Sequence, residues 1–502
     1  MKKRAKVIQI CGTGSGVGKS IFVAGLCRIY QQQGYKVAPF KAQNMALNSA
    51  VTPDGLEIGC AQAVQALACK VEPSVDMNPV LLKPTSDVGS QVILSGRPLG
   101  NMTAGQYYKC KTRIFATVKK SVYRLLAKND IVVVEGAGSP AEINLKKHDI
   151  VNMRIARLLS APVLLVGDIN SGGVFAWLLG TLALLTQAER KLVKGFVINK
   201  FRGDKKLLKN GLDYLQRKSK KRVFGVLPYY KNIAIPEEDS LFFDQLSLKQ
   251  KRNSKQVHIV VIRIPHISNF TDFDIFRYES DVCIEFSRDP QVIEKADCII
   301  LPGTKNTLSD LDVLFQQGLA ELIKKKAQQG CFIVGVCGGF QMLGRSIVDR
   351  VGVEGTKGLR KGLELLAADT YFKEKKDTYL IEGIEIKNGM RVKGYEIHHG
   401  KMKLGHGVKP LFLIKKRGNR KVCVNDGVSS QNGRIWGTYI HGIFDNSIFR
   451  KEFLNKLRRK KKLKVIRDEV AFSQDEEFNK LADLIRENVN MKMLNKTVFN
   501  KR

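Results

Sequence analysis

A glycine-rich segment near the start of the chain contains residues that could bind a nucleotide. It reads GTGSGVGKS at residues 12–20 and follows an apolar run, residues 7–11, that predicts a strand. Such a loop turns backbone N–H groups toward phosphates, while its lysine neutralises them and its hydroxyl ligates Mg²⁺. The loop is one residue longer than the standard phosphate loop, and the alternative is a glycine-rich turn with an incidental lysine. We expect Gly12, Thr13, Gly18, Lys19 and Ser20 to hold a nucleotide, with Ser20 also on Mg²⁺.

A cysteine on a sharp turn could act as a nucleophile. The segment GVCGG at residues 335–339 follows an apolar run and precedes FQML, which predicts a helix. A strand that stops at such a turn presents its sulfur at a helix N-terminus, where the thiolate is favoured and backbone N–H groups can receive an oxyanion. We therefore predict that Cys337 attacks acyl groups. Gly338, and Gly303 in the loop after a strand at residues 298–301, are the predicted oxyanion-hole donors.

The cysteine needs a base, and His441 is the best candidate among seven histidines. It follows a strand predicted at residues 435–440 and precedes a glycine, so its ring could lie at the edge of a sheet. His398 and His399 are alternative bases. A Cys–His pair of this kind attacks a primary amide and releases ammonia through a thioester.

Polar residues end three predicted strands of the N-terminal half. Glu135 follows a buried strand at residues 131–134, where a Mg²⁺ ligand of a nucleotide site belongs. Asp168 ends another strand in the same way, and either carboxylate could instead cap the following helix. Asn199 ends a third strand and is predicted to reach the base of the nucleotide, although an asparagine there is often only a turn residue.

The elements that must position these residues alternate between strands and helices, which predicts parallel sheets covered on both faces. In the N-terminal half the predicted strands are residues 7–11, 36–40, 131–135, 162–166 and 195–199, and the predicted helices are residues 19–33, 57–68, 106–127 and 174–188. The predicted domains are a phosphate-loop ATP-dependent domain (1–240), a linker (241–256), a thiol domain (257–450) and a basic helical extension (451–502). In the extension, Ser473 and Glu476 predict the start of a helix.

Composition restricts the class of protein. Lys and Arg number 84 against 47 Asp and Glu, which gives a formal charge of +37. The excess is spread along the chain without a basic arm, so we expect solvated lysine-rich faces and no nucleic acid; a field that collects polyanionic substrates is the alternative. No signal peptide or membrane span is recognised, and no two cysteines have Cys-x-x-Cys spacing. These features predict a cytoplasmic protein without a zinc site.

Longer segments carry a resemblance to known families. The phosphate loop resembles that of dethiobiotin-synthetase-type ATPases, and the turn at Cys337 resembles that of class I glutamine amidotransferases. Both on one chain resemble the cobyrinate amidotransferase family, and the matching segments are KAQNM (41–45), MNPVLLKP (77–84), VEGAGSPAEIN (134–144), NKFRGD (199–204), ISNFTDFD (267–274), LPGTKNT (301–307) and GYEIH (394–398).

The resemblance implies an α/β chain of two doubly wound domains, a dethiobiotin-synthetase-like one and a class I glutaminase-like one. It also implies amidation of the b, d, e and g carboxylates of adenosylcobyrinic acid a,c-diamide, with L-glutamine as the nitrogen donor and ATP and Mg²⁺ required. Each carboxylate would be activated as an acyl phosphate and attacked by ammonia. Cys337 would be the nucleophile and His441 its base. The oligomeric state is left open.

Three positions depart from what the resemblance leads us to expect. Ile443 stands two residues after His441, where many class I glutaminases have a glutamate, so the pair must work as a dyad or use another orienting group. Cys60 and Ser171 stand where arginines are expected. Other readings are the a,c-diamide synthase of the same family, a partition-type ATPase that binds DNA or membrane, and an inactive relative.

Overall fold

The computed structural model describes residues 5–86, 89–230, 233–236, 253, 255–354, 357–467 and 472–499. Most of the predicted linker therefore lies outside the described residues. No helix in these ranges is long and apolar enough to cross a bilayer.

The N-terminal half is built around a six-stranded parallel sheet in the order β12-β11-β10-β1-β9-β2. Its elements up to residue 228 are β1 (Lys6–Gly12), α1 (Lys19–Gln32), β2 (Val37–Phe40), β3 (Gln43–Met45), β4 (Ser49–Val51), β5 (Glu57–Gly59), α2 (Cys60–Ala68), β6 (Val80–Ser86), β7 (Gly89–Leu94), β8 (Arg97–Thr103), α3 (Ala104–Lys128), β9 (Ile131–Glu135), α4 (Met153–Leu159), β10 (Val163–Asp168), α5 (Val174–Leu184), α6 (Gln187–Leu192), β11 (Val193–Phe201), α7 (Lys209–Ser219) and β12 (Arg222–Pro228).

Alternating residues of each central strand face opposite sides of this sheet. Ile131 and Val133 of β9 pack with α1, whereas Val132 and Val134 pack with α3 and α4. The strands are buried on both faces, which is why they read as continuous apolar runs in the sequence. Their carboxyl ends meet at one edge, which places the loop after β1 beside the ends of β9, β10 and β11.

Two small sheets lie between β2 and α3. Strands β3, β6, β7 and β8 form one sheet, and β4 and β5 form an antiparallel pair. This pair corrects one prediction: the helix expected at residues 57–68 begins at Cys60, because Glu57–Gly59 pairs with Ser49–Val51. The helix expected at residues 174–188 is also interrupted, because Thr186 starts α6 with its own capping box.

The C-terminal half contains a second sheet, parallel at one end and antiparallel at the other. The order β14-β13-β15-β16-β23 is parallel, and β22, β21, β19, β17 and β18 continue it, with β20 paired to β19. Its elements are β13 (Val257–Ile262), a 3₁₀ helix (Phe270–Tyr278), β14 (Val282–Ser287), α8 (Pro290–Glu294), β15 (Cys298–Leu301), α9 (Thr307–Gln316), α10 (Leu319–Gln328), β16 (Phe332–Val336), α11 (Gly338–Met342), β17 (Ser346–Asp349), β18 (Gly358–Lys361), β19 (Ala368–Glu385), β20 (Arg391–Leu404), β21 (Lys409–Arg417), β22 (Arg420–Ser429), β23 (Ile435–Thr438) and α12 (Ser447–Lys460).

The last two helices return to the N-terminal half. Helix α13 (Gln474–Asn488) packs on α1, and α14 (Met491–Phe499) follows it. Phe478, Leu481 and Ile485 enter the same apolar core as Ile8 and Ile10 of β1. The Ser473 hydroxyl accepts the Glu476 N–H at 3.3 Å, as the sequence predicts for a helix start. The end of the chain is therefore a structural part of the nucleotide-binding half.

Candidate active sites

The predicted phosphate loop lies at the carboxyl edge of the N-terminal sheet. Gly18 precedes α1 with φ of 90°, a left-handed conformation that suits glycine, and no side chain caps the helix. The first N–H groups of α1 are thus left without a side-chain cap at the place where phosphates bind in such loops. The Lys19 ammonium donates to the carbonyls of Gly14 and Gly138, at 2.6 and 3.2 Å. These contacts hold the lysine across the loop.

Glu135 is the central carboxylate of this site. It is fully buried, and it accepts hydrogen bonds from Ser20 Oγ (2.8 Å), Lys41 Nζ (2.8 Å) and Gln65 Nε2 (2.6 Å). Burial alone would raise the pKa of Glu135, but the ion pair with Lys41 and the two other hydrogen bonds lower it. The structure therefore places the two predicted Mg²⁺ ligands, Ser20 and Glu135, in direct contact. Lys41 and Gln65 belong to this site and were not singled out from the sequence.

The other strand-end residues support the loop from behind. Asn199 Nδ2 donates to the Val17 carbonyl at 2.9 Å, and a side chain at Gly18 would collide with it. Asp168 forms an ion pair with Lys200 at 3.1 Å, and Lys200 also donates to the Gly16 carbonyl. Asn199 thus contacts the phosphate loop, and the idea that it reaches the base remains a prediction.

A large cleft opens beside the phosphate loop. Its volume is about 1290 Å³. It shares Ser15, Met45, Ala137 and Gly138 with the smaller cleft that the phosphate loop itself lines. Its walls carry the stacked pair Tyr108 and His148 and a basic group formed by Lys111, Lys146, Lys147, Arg154 and Arg157. Pockets for small ligands usually measure about 300–1,000 Å³, so this cleft is large enough for a bulky ligand.

Cys337 sits on the turn between β16 and α11 with φ of 52° and ψ of −109°. A non-glycine residue at positive φ is uncommon and is found at strained functional turns. The turn requires glycine at position 339, because a Cβ there would lie 2.0 Å from the Leu301 carbonyl oxygen. Cys337 N–H donates to the Thr438 carbonyl at 2.8 Å, and the side chain lines a cavity that also contains His441.

His441 has a carboxylate partner that the sequence did not reveal. Its Nδ1 lies 2.6 Å from Oδ2 of Asp272, and Gly442 N–H donates to Oδ1 of the same residue at 3.0 Å. Burial opposes protonation of His441, but Asp272 and Cys337 outweigh it and raise its pKa to about 10. With Nδ1–H donated to Asp272, Nε2 is left for the cysteine. This arrangement favours a protonated His441 ring beside the Cys337 sulfur.

Asp272 supplies the carboxylate partner of His441 that Ile443 cannot supply. Ile443 is fully buried in the apolar core, whereas Asp272 comes from the 3₁₀ helix of residues 270–278. Asp272 belongs to the segment ISNFTDFD. It lies 169 residues before His441 in the chain, so the sequence did not indicate that the two side chains are in contact. The strand before His441 also ends earlier than predicted, at Thr438.

The predicted oxyanion donors lie close to this group. Gly338 is the first residue of α11 and lines the cavity. Gly303 lies next to His441, because a Cβ added to it would be 3.2 Å from the ring, and its carbonyl accepts the Ser268 N–H at 2.9 Å. Thr304, the next residue, lines the cavity. The roles of Gly303 and Gly338 stay predictions.

The two alternative histidines line the same cavity but have different partners. Nδ1 of His398 pairs with the Gly400 carbonyl at 2.8 Å, and Nδ1 of His399 pairs with the Lys373 carbonyl at 3.0 Å. Burial and the charges of Lys376 and Lys305 lower the pKa of His399 to about 3. Neither histidine pairs with a carboxylate as closely as His441 does, so the geometry favours His441 as the base.

Residues of the nucleotide-binding half reach the thiol cavity. Lys83 of β6 lines it, and its ammonium lies 2.9 Å from Glu57 Oε1 and 2.9 Å from Ser49 Oγ. Glu57 also pairs with Lys376 of β19 at 2.7 Å, and Ser49 exchanges hydrogen bonds with Asn269. The two halves are therefore joined by buried polar contacts at the wall of the thiol site.

Comparisons with known proteins agree with both sites. A family model described as a CobQ/CobB/MinD/ParA nucleotide binding domain matches residues 8–242, and a CobB/CobQ-like glutamine amidotransferase domain matches residues 258–449. A cobyric acid synthase of Dehalococcoides mccartyi (strain CBDB1) is 48% identical over 498 residues, 98% of each chain. Those of Syntrophobacter fumaroxidans and Clostridium botulinum are 45% identical (99% of each chain) and 46% identical (97% of this chain, 98% of the relative).

The chain joins a nucleotide-binding domain to a glutamine amidotransferase domain, and it is a glutamine-hydrolysing, amide-forming synthase. It belongs to the cobyric acid synthase family of cobalamin biosynthesis. The predicted family and the predicted α/β fold class are both confirmed.

Proposed function

We propose that this enzyme amidates the b, d, e and g carboxylates of adenosylcobyrinic acid a,c-diamide, using ATP with Mg²⁺ and ammonia taken from glutamine. The observation that carries the proposal is the buried group of Cys337, His441 and Asp272 in the same chain as a phosphate loop. One site can release ammonia, and the other can activate a carboxylate. The cobyric acid synthases at 45–48% identity support the choice of substrate.

Cys337 starts the release of ammonia. Its thiolate attacks the side-chain amide carbon of glutamine, and the oxyanion is received by N–H groups at the turn, with Gly338 as one donor. The imidazolium of His441 gives its proton to the leaving nitrogen, which departs as ammonia. Water activated by the neutral His441 then cleaves the thioester and gives glutamate. Asp272 fixes the ring orientation in both steps.

The phosphate loop serves the activation step. A carboxylate oxygen of the corrinoid attacks the γ-phosphorus of ATP, ADP leaves, and ammonia then displaces phosphate from the acyl phosphate. Lys19 and the first N–H groups of α1 stabilise the charge that develops on the phosphoryl oxygens. The basic wall of the large cleft suits a substrate that carries several carboxylates.

The residues near Glu135 fit Mg²⁺, which prefers oxygen ligands. Ser20 Oγ and the ionised Glu135 would hold it, and the ion would supply charge neutralisation at the β- and γ-phosphates. No group of three or more His, Cys, Asp or Glu side chains in the described ranges could hold a metal by itself. The remaining ligands would therefore come from phosphate oxygens and water.

A comparison of nitrogen donors tests the proposal. Purified protein is given ATP, Mg²⁺ and adenosylcobyrinic acid a,c-diamide with either glutamine or ammonium salt, and the corrinoid products are followed by mass spectrometry. We expect stepwise amidation with both donors, and loss of only the glutamine-driven reaction in Cys337→Ala. Cobyrinic acid is offered in parallel, since preferred amidation of that substrate would indicate the a,c-diamide synthase instead. ATP hydrolysis without any amidation would refute the proposal.

A further inference from the structure

The thiol cavity contains a buried ammonium group that the mechanism above does not use. Lys305 follows Gly303 and Thr304 in the loop after β15, is 5% exposed, and lines the cavity of Cys337. Among the residues that the structure describes, its ammonium has no hydrogen-bond or ion-pair partner. Lys83 and Lys376 line the same cavity, but both are paired with Glu57, at 2.9 and 2.7 Å. Lys305 therefore differs from its two basic neighbours.

A buried ammonium without a partner is costly, and it indicates a place for an anion. Lys83, Lys305 and Lys376 contribute three positive charges, and the carboxylates next to them are Glu57 and Glu354. Burial and the repulsion from Lys376 lower the pKa of Lys305 to about 8, while Glu354 acts in the opposite direction. The Lys305 ammonium is therefore placed to receive an anionic group of a ligand, with the carboxyl group of Glu354 in the same cavity.

Glutamine has the complementary groups. When its side-chain amide lies at Cys337, its α-carboxylate and α-ammonium extend away from the sulfur into the cavity. Glu354 lines the cavity together with Lys305, and its Oε2 accepts the Thr307 N–H at 2.9 Å, which fixes the carboxylate. The wall thus offers an ammonium group and a carboxyl group for the two charged groups of an amino acid.

We propose that Lys305 binds the α-carboxylate of glutamine and that Glu354 binds its α-ammonium, which makes the two residues the specificity determinants of the thiol site. The inference rests on the proposed glutaminase function of Cys337. The nucleotide-binding half completes this pocket, because Lys83 lines its wall and Glu57 pairs with both Lys83 and Lys376. Lys305 acts on the amino-acid head and takes no part in the chemistry at the amide.

The test uses full-length Lys305→Met and Lys305→Arg beside the exposed control Lys325→Met on α10. We expect the KM for glutamine to rise about 100-fold in Lys305→Met, with kcat changed by less than about threefold, since the lost contact is made equally in the bound and the reacting state. Ammonia-driven amidation should stay at the wild-type rate, and Lys305→Arg should recover part of the affinity. γ-Aminobutyramide, which lacks the carboxylate, should be hydrolysed equally slowly by wild type and Lys305→Met.

Binding separates this inference from the proposed function. Calorimetry measures glutamine binding to Cys337→Ala with and without Lys305→Met, so no turnover is needed. A large loss of affinity in the double variant supports the inference. Unchanged affinity overturns it, as does an equal loss of activity with glutamine and with γ-aminobutyramide. Loss of amidation with ammonia in Lys305→Met would also overturn it. Failure of the proposed function is recognised separately, by Cys337→Ala that still hydrolyses glutamine.

Discussion

The phosphate site and the thiol site are assembled in different ways. The phosphate site consists of a continuous loop after β1 and residues at the carboxyl ends of neighbouring parallel strands, such as Glu135 and Asn199. The thiol site has a continuous turn at Cys337, but its carboxylate, Asp272, comes from a 3₁₀ helix that is not part of the sheet. In a parallel sheet the carboxyl ends of the strands meet at one edge, so residues at these ends are brought together by the sheet itself. A residue on a separate helix reaches the site only through the way in which that helix packs.

The sites also differ in access. The cleft beside the phosphate loop is large and open to a bulky substrate, at about 1290 Å³. The thiol cavity is buried and is closed partly by Lys83 from the other half of the chain. A buried site tolerates fewer changes, because each uncompensated charge in it is costly. Substitutions at the two sites should therefore separate glutamine use from carboxylate activation.

Among these substitutions, Asp272→Asn should produce the largest difference between the activities of the thiol site and the phosphate site. The asparagine keeps the shape but removes the charge, and it replaces one of the two acceptor oxygens that His441 and Gly442 use with an NH₂ donor. Glutamine hydrolysis should therefore fall about 10³–10⁴-fold. Ammonia-driven amidation should be unaffected, because the phosphate site lacks this residue. Rates of glutamate release and of amide formation with ammonium salt measure the two effects.

The pH profile sharpens this prediction. The pKa of His441 is raised to about 10, so the imidazolium persists through neutral pH and is lost as pH rises through that value. Without Asp272 the pKa of His441 should fall, and the alkaline limb of glutamine hydrolysis should move to lower pH. An alkaline limb that stays in place would contradict the role of Asp272.

Lys19→Ala should show the opposite pattern. The ammonium lies across the phosphate loop, and its loss should reduce amidation about 10²–10³-fold with either nitrogen donor. Glutamine hydrolysis measured alone should continue, because Lys19 does not line the thiol cavity. If Lys19→Ala also stops glutamine hydrolysis, the two sites are coupled through the nucleotide and do not act separately.

The sequence was sufficient to predict the two motifs and their strands because their chemistry is local. The loop before Lys19 and the turn at Cys337 are each set by closely spaced glycines, and the buried strands read as apolar runs. Glu135 was predicted as well, because a carboxylate that ends a buried strand stands where a Mg²⁺ ligand of a nucleotide site belongs. The same reasoning did not predict the contacts that Glu135 receives from Lys41, which directly follows β2, and from Gln65 of α2.

Contacts between the halves could not be predicted in this way. Glu57 was expected in a helix, yet it pairs with Lys83 and Lys376 because β5 pairs with β4 and turns the carboxylate toward the other half. Asp272 and Lys305 lie in segments that carry the family resemblance, but their partners are set by tertiary packing. A single sequence does not reveal which distant side chains share a cavity.

Glu57→Gln tests the junction between the halves. The carboxylate is buried between two lysines, and these ion pairs outweigh burial and hold its pKa well below the usual range. The amide would leave two buried ammonium groups without a counter-charge, which should lower the free energy of unfolding by about 3 kcal/mol. Denaturant unfolding at pH 7 measures the loss.

Acid titration of the same variant provides the control. In wild type the stabilisation by Glu57 is fully present above the pKa of an unfolded glutamate, about 4. It is lost as pH falls from there through the lower pKa that Glu57 has in the folded protein. The difference between wild type and Glu57→Gln should therefore shrink only at strongly acid pH. A difference that does not change with pH would mean that packing, and not charge, accounts for the loss.

The smallest effect is expected for Ser473→Ala, at the start of α13. The hydroxyl accepts the Glu476 N–H at 3.3 Å, and loss of such a cap costs about 1 kcal/mol. Because α13 packs on α1, the loss should lower the thermal midpoint of amidation activity with ammonia, while glutamine hydrolysis keeps its midpoint. Ser473→Asn, which restores an acceptor, should recover the stability. Equal shifts in both midpoints would show that the halves unfold as one unit, joined by the contacts around Glu57.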